Sequence, residues 1–304
     1  MSQERKVWID GGLFQESEAK VDIISNSFQY GFSVFEGIRA YMTEKGPAVF
    51  RLQEHIDRLY NSAKIIGLEV PHNKEEVVQA CLDLIKENKE EACYIRPVAY
   101  IGSGGMGLDY RKCKVSIAIA TWFWGEYLGA GTLEKGAKVQ TSSFTRHHIN
   151  SNMSKAKAAG NYMLFQMART AALRQGYDEA LLLDSQGYVA EGSVENIFVV
   201  KKGVIYTPPL TYILGGITRE TIIQIARDHG YEVREEFFTR DTIYIADETF
   251  FVGTGAEVTP VVSLDDRDIG DGKPGPITKE LQKLYFDSVR GNKSEYDSWL
   301  TYVN

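Results

Sequence analysis

The chain has 304 residues, 43% of them hydrophobic and 25% charged, with a net charge of −7; its length points to two domains, and its composition to soluble globular ones with substantial cores. The acidic balance argues against general nucleic-acid binding, while leaving room for a local positive pocket that holds a small anion. No apolar run reaches membrane-spanning length, the opening Met1-Ser-Gln-Glu-Arg-Lys does not read as a signal peptide, and Cys81, Cys93 and Cys113 lack metal-site spacing, so no membrane association and a reduced cytoplasmic setting are expected.

Lys6-Val-Trp-Ile-Asp-Gly-Gly-Leu-Phe reads as a strand, a Gly-Gly turn and a second strand, and further short extended segments are expected through Val21-Asp-Ile-Ile. Tyr30-Gly-Phe-Ser-Val-Phe-Glu-Gly-Ile-Arg-Ala-Tyr is rich in aromatics and glycine and ends in a strand; it suits either sheet core or a concave apolar wall. Arg51 to Ile66 has helical period, with Leu52, Ile56, Leu59, Ala63 and Ile66 on one face and Arg58 flanking it. Asn73 opens a second helix, running to Asn88, with Glu76 three residues on as in a capping box. Cys93 to Ile101 is an apolar strand whose lone charge, Arg96, needs an anionic partner or water.

Gly102-Ser-Gly-Gly-Met-Gly has the spacing of a dinucleotide fingerprint. That site needs a helix next, so that an N-terminus meets the pyrophosphate. Another strand follows instead, Val115 to Trp124, and the glycines read as a turn. The glycine-rich stretch 125–136 reads as a linker between an N-terminal domain, 1–124, and a larger C-terminal one, 137–304. After it come a strand from Lys138 to Phe144, the polar Arg146-His147-His148, and Ser154-Lys155-Ala-Lys157-Ala-Ala-Gly-Asn-Tyr162 before a helix from Met163 to Gln175. Two adjacent histidines match no zinc spacing, so no metal is assigned. Short strands, a helix from Thr218 to His229 and a last helix from Thr278 to Arg290 complete the chain. Short strands in both halves with helices in blocks favour two α+β domains over a doubly wound sheet.

Several features converge on one chemistry. A lysine among small residues just before a helix can project into a cavity, and an amine in a partly apolar site loses stability as an ammonium and becomes nucleophilic. Gly216-Ile-Thr at a helix N-terminus is a phosphate seat, and Gly253-Thr254-Gly255 after a strand is a second backbone nest for an anion. Glu191 and Glu195 flank a small-residue turn, where a carboxylate can hold a protonated ring nitrogen. With the phenol of Tyr162 these match the needs of pyridoxal phosphate.

Tyr30-Gly-x-x-Val-Phe-Glu-Gly-Ile-Arg, Tyr94-Ile-Arg-Pro, Trp124-Gly-x-Tyr127, Lys157-Ala-x-Gly-Asn-Tyr162, Glu191-Gly-x-x-Glu-Asn196, Gly216-Ile-Thr-Arg and Gly253-Thr-Gly-Ala-Glu-Val-Thr-Pro260 follow one another in an order that resembles the branched-chain amino-acid aminotransferases. These are class IV, fold type IV, pyridoxal 5'-phosphate enzymes, and the resemblance runs from about Trp8 to Leu300. It implies an α+β fold with a smaller N-terminal α/β domain and a larger C-terminal pseudo-barrel domain. It implies reversible transfer of the amino group of leucine, isoleucine or valine to 2-oxoglutarate.

The resemblance also implies roles. Lys157 would be the Schiff-base lysine and proton carrier, with Lys155 a non-catalytic neighbour. Tyr162 would bond the cofactor's phenolate oxygen and Glu191 its pyridine nitrogen, with Glu195 supporting the site. Arg58, Ile217, Thr218 and Thr254 would hold the phosphate, placing the site between the domains. Thr254 and Gly255 would meet the substrate α-carboxylate. Tyr30, Phe35, Trp124, Tyr127 and Tyr162 would line an apolar pocket, and Arg96, within Tyr94-Ile-Arg-Pro, would meet the side-chain carboxylate of glutamate. Tyr30 and the loop near Leu108 would reach a neighbouring subunit, implying a homodimer or larger assembly. Other activities of this fold stay open: D-amino-acid or (R)-amine transamination, or aminodeoxychorismate lyase chemistry. Two positions depart from the common pattern. Val194 stands where relatives commonly have glycine, which strains the turn if that position needs positive φ, and Gly255 stands where relatives often have alanine.

Overall fold

The computed structural model describes residues 4–105 and 107–303, so the amino-terminal Met1 to Gln3, the Met106 of the glycine run and Asn304 lie outside the described residues. The chain divides into two compact units. The first comprises Met1–Trp124, Ala156–Tyr162 and Ser288–Asn304, the second Gly125–Lys155 and Met163–Asp287.

The first unit is built on an antiparallel sheet. Among the described residues its strands run in the order Leu300–Tyr302, Gly46–Phe50, Ile38–Thr43, Cys93–Ile101, Val115–Trp122, Lys6–Ile9 and Gly12–Gln15, with Ser33–Phe35 also paired to Cys93–Ile101. The hairpin at Lys6–Gln15 turns through Asp10 and Gly11, both at positive φ (46° and 93°), the two-residue turn whose twist matches a right-handed ribbon. Helices Leu52–Ile66 and Lys74–Glu87 cover one face. Ile56 and Leu59 from the first, and Val77, Leu84 and Ile85 from the second, are fully buried, as the helical period requires. Cutting any of these leucines or isoleucines to alanine costs about 2–5 kcal/mol. The second helix starts on Asn73, whose side chain accepts the Glu76 N–H while Glu76 reaches back to the Asn73 N–H.

The second unit carries a mixed sheet in the order Val189–Gly192, Glu179–Leu183, Ala137–Thr141, Glu257–Leu264, Glu248–Gly253, Asn196–Lys201, Val204–Thr207 and Val233–Glu235. Ala137–Thr141 is parallel to both its neighbours, the rest of that path being antiparallel except for the last pair. Central strands Glu248–Gly253 and Glu257–Leu264 are buried nearly throughout, which accounts for their continuous apolar runs.

Three expectations change. Val21 to Ile24 form no strand; Val21, Ile23 and Ile24 are more than half exposed in a turn. The stretch 125–136 is no linker, since Leu128 is in the second unit's core and Thr132–Lys135 is helical. The single boundary gives way to repeated crossings. Val34 bridges to Ala158, and Leu300–Tyr302 pairs with Gly46–Phe50, so the lysine segment and the carboxyl-terminal segment join the first unit.

Candidate active site

Lys157 has its backbone held on both sides. Its N–H donates to Ser62 Oγ at 3.0 Å, and its C=O accepts the Phe35 N–H at 3.1 Å. The small residues that follow admit backbone: a Cβ on Gly31, which has φ of +67°, would lie 3.2 Å from Gly160 Cα. With the main chain fixed, the amine donates to Tyr162 Oη at 2.8 Å and stands 5.1 Å from the Phe35 ring centre. Withdrawal from water, and after it the charge of Arg58, bring this amine down from 10.5 to about 8. Lys155 points elsewhere, donating to the Leu210 carbonyl at 3.1 Å.

The depressed amine gives a direct expectation. Only the neutral form attacks a carbonyl, and with a midpoint of about 8 the neutral fraction grows roughly tenfold between about pH 7 and pH 9. Capture of a small aromatic aldehyde by Lys157, followed by absorbance, should rise by that factor and then level off. A rate still climbing at about pH 10–11 would mean an unshifted lysine.

Arg58 is organised by a residue the sequence reading passed over. Glu36 is fully buried, and its carboxylate accepts Arg58 Nε at 2.6 Å, Arg58 Nη2 at 2.8 Å and His55 Nδ1 at 2.8 Å. Burial works to raise this carboxyl, but Arg58 and His55 outweigh it and hold it far below the usual range. His55 is pulled down by burial against the opposing effect of Glu36, which favours a neutral ring donating its Nδ1–H. His55, Arg58 and Ser62 recur at i, i+3 and i+7 on one face of helix Leu52–Ile66, so one face serves both Glu36 and the lysine segment.

Arg96 sits among aromatics. Its guanidinium carbon is 4.6 Å from the Phe35 ring centre, 5.3 Å from Tyr94 and 5.6 Å from Trp122. Strand register explains the room: Ala120 is opposite Arg96, while Trp122 is opposite Tyr94. Nη2 donates to Tyr94 Oη at 3.4 Å, and Nε is buried with no hydrogen-bond partner. Trp124 packs edge-on against Tyr94 at 4.5 Å and Tyr162 against Phe35 at 4.7 Å. Trp122 completes this wall unannounced by the motifs, although its alternation with Ala120 and Trp124 was a usable signal.

In the second unit Glu191 is backed by another overlooked residue, Arg146, whose Nε donates to Glu191 Oε1; their side chains are 7% and 2% exposed. Asn196 Nδ2 reaches Glu191 Oε2 at 3.4 Å and the Leu214 carbonyl at 3.1 Å, tying the carboxylate to the turn before helix Ile217–Asp228. Gly216 caps that helix and brings no side-chain oxygen of its own. Ile217 and Thr218 are buried in its first turn, and Arg219 anchors it through the Pro208 carbonyl and Glu235, both at 2.9 Å. A Cβ on Gly216 would lie 2.0 Å from Asn196 Oδ1. Gly216→Ala should therefore lower unfolding stability by about 1–3 kcal/mol, measured as a denaturant midpoint; an unchanged midpoint would contradict this close approach.

Glu195 has a setting different from that of Glu191. It is buried, one oxygen accepts the Val194 N–H at 3.2 Å, and the other has no partner. Burial, then the charge of Glu179, lift its carboxyl well above the usual range. Thr254 and Gly255 form the turn between Glu248–Gly253 and Glu257–Leu264, with Tyr127 across Gly255. Val194 is not among the positive-φ residues, so valine is unstrained there. Tyr30 and Leu108 are 48% and 85% exposed. Their segments are joined by Asn26 Nδ2 donating to the Gly107 carbonyl at 2.6 Å.

Each unit carries groups that fit pyridoxal phosphate: in the first, a lysine of lowered pKa beside a phenol, and an arginine suited to a dianion; in the second, a glycine-capped helix N-terminus and a carboxylate backed by arginine, suited to a phosphate and a protonated ring nitrogen. The family model for amino-transferase class IV matches residues 33–264. The branched-chain-amino-acid aminotransferase of Pseudomonas aeruginosa is 49% identical over 297 residues, spanning 98% of this chain and 97% of that one. Two structures of a T.th. branched-chain amino acid aminotransferase, one with pyridoxamine 5'-phosphate and one complexed with N-(5'-phosphopyridoxyl)-L-glutamate, match with TM-scores of 0.96 and 0.94 at 46% and 44% identity, covering 100% of each chain.

Proposed function

The chain belongs to the class IV aminotransferases, and from that premise we propose that it transfers the amino group of L-leucine, L-isoleucine or L-valine reversibly to 2-oxoglutarate with pyridoxal 5'-phosphate as carrier. The observation that carries the substrate reading is Arg96. A guanidinium with an unpartnered Nε, set among Phe35, Tyr94 and Trp122, suits a second carboxylate, while the same rings suit a branched aliphatic chain. One surface can thus serve glutamate and leucine alternately.

When bound, the cofactor supplies an electron sink for the substrate Cα. The chain's own residues do the rest. Lys157 is the residue that would hold the cofactor and carry the proton at the substrate Cα, a task suited to an amine at about 8. Tyr162 accepts the lysine's hydrogen bond and orients it. Glu191, with Arg146 behind it, would keep a proton on the cofactor's ring nitrogen. Arg58, steadied by Glu36, would offer the first unit's charge to a phosphate, and the helix start at Ile217 and Thr218 with the turn at Thr254 would offer the second unit's backbone and hydroxyls to one. Glu195 supports the turn that carries Glu191. In the second unit Thr254 and Gly255 would offer backbone to the α-carboxylate and Tyr127 apolar surface; in the first, Tyr30 and Trp124 would add apolar surface. Tyr30 and Leu108, exposed as they are, support a homodimer or larger assembly in which they meet a second copy. Free Cys81, Cys93 and Cys113 support a cytoplasmic setting.

Both enantiomers test the substrate reading. Initial rates with 2-oxoglutarate should favour L-leucine, L-isoleucine and L-valine over D-alanine and (R)-amines by at least about 10²-fold. Preference for a D-amino acid or an (R)-amine would replace this reading with the corresponding activity.

A further inference from the structure

Arg169 belongs to none of the motifs, yet it joins the second unit's buried acids to the turn at Gly255. From helix Tyr162–Arg174 its Nη2 donates to the Tyr127 carbonyl at 3.0 Å, and its guanidinium carbon lies 4.0 Å from the Tyr127 ring centre. Its Nε stands 3.4 Å from Glu179 Oε2, at the start of strand Glu179–Leu183, where Glu179 is fully buried. The guanidinium is therefore gripped by a buried carboxylate and grips Tyr127 by both carbonyl and ring. Tyr127 in turn lies across Gly255: a Cβ there would stand 3.3 Å from Tyr127 Cγ and 3.5 Å from Cβ and Cδ2. The contacts run without a gap from Glu179 through Arg169 and Tyr127 to Gly255. A side chain on residue 255 and the seating of Tyr127 compete for one space.

We propose that Arg169, held by Glu179, is a positioning residue that seats Tyr127 against Gly255 and so shapes the turn for the α-carboxylate shared by amino-acid and 2-oxo-acid substrates. The proposal rests on the reading of Thr254–Gly255 as the carboxylate seat. Because every substrate carries that carboxylate, Arg169 acts on leucine and 2-oxoglutarate alike, unlike Arg96, which discriminates between them. The absence of a Cβ at Gly255 lets the ring approach the backbone, and the arginine keeps it there.

The test uses the holoenzyme with the double variant Arg169→Met/Glu179→Gln, which removes both charges of the pair and so does not leave Glu179 buried without its counter-ion. KM for L-leucine and for 2-oxoglutarate should both rise about tenfold, as a misplacement short of an ångström gives, with kcat within about twofold and the cofactor's visible band unchanged. The dissociation constant of a branched aliphatic carboxylate that cannot react, read by calorimetry, should rise by the same factor. Gly255→Ala, which pushes on the same ring, should add little to the double variant while raising KM alone, since both act through Tyr127. Wild-type KM values and carboxylate affinity in the double variant, with Tyr127→Ala raising both, would overturn the role of Arg169 and leave the carboxylate seat standing. Wild-type values in Tyr127→Ala as well would overturn the seat and the proposal together. A fall in kcat and thermal midpoint with KM unmoved would make Arg169 merely structural and also overturn it.

Discussion

Replacing Lys157 by alanine should lower turnover of L-leucine by at least about 10⁴-fold, the combined loss of a covalent anchor and of a positioned proton carrier. The fold should survive, because what holds this segment is its backbone. The Ser62 hydroxyl and the Phe35 N–H bond main-chain atoms of residue 157, and neither contact needs the side chain. The amine's own hydrogen bond is to Tyr162, a hydroxyl that can take water in its place. Thermal unfolding should therefore change little while activity disappears. A purified variant retaining more than about a tenth of wild-type turnover would contradict both roles.

Replacing Arg96 by leucine should separate the two substrates. A guanidinium–carboxylate hydrogen bond contributes about 1.5–3 kcal/mol, so kcat/KM for 2-oxoglutarate should fall about 10²-fold. Leucine offers no side-chain anion, and the Phe35, Tyr94 and Trp122 rings remain to receive it, so its kcat/KM should stay within about threefold. Stability should hold or rise, since a buried donor without a partner is removed. Equal losses for both substrates would show that Arg96 serves the architecture rather than selecting the second carboxylate.

What the sequence makes legible is what local spacing encodes. The period of Leu52, Ile56, Leu59 and Ala63 announces a helix, the pair Asn73 and Glu76 announces a capping box, and the Gly11-Gly12 pair announces a hairpin; each appears in the fold, the hairpin turning one residue earlier than the glycine pair, at Asp10-Gly11. The one arginine in the otherwise apolar strand Cys93–Ile101 also marks Arg96 by its charge alone. Partners set by register and by long loops were not legible. Glu36 meets Arg58 22 positions on, Arg146 meets Glu191 45 positions on, and no periodicity marks either pair. The strand Glu257–Leu264 escaped because it is buried on both faces and includes Pro260, which leaves neither alternation nor a clean β signal. Val21 to Ile24 misled in the opposite direction: its composition suits a strand, but the segment stays exposed and pairs with nothing in the sheets. The bridge of Ala158 to Val34, made through the Phe35 N–H donating to the Lys157 carbonyl, draws the lysine segment into the first unit and is a tertiary event with no local signature.

The measurement that bears most directly on the central claim is the absorption spectrum of the protein carrying pyridoxal phosphate, recorded before and after L-leucine is added with no oxo acid present. The account predicts that the visible band of the Lys157-bound cofactor is lost in proportion to the L-leucine consumed and returns when 2-oxoglutarate is supplied. A band that ignores L-leucine but responds to a D-amino acid, or a protein that shows no visible band after incubation with pyridoxal phosphate, would contradict it.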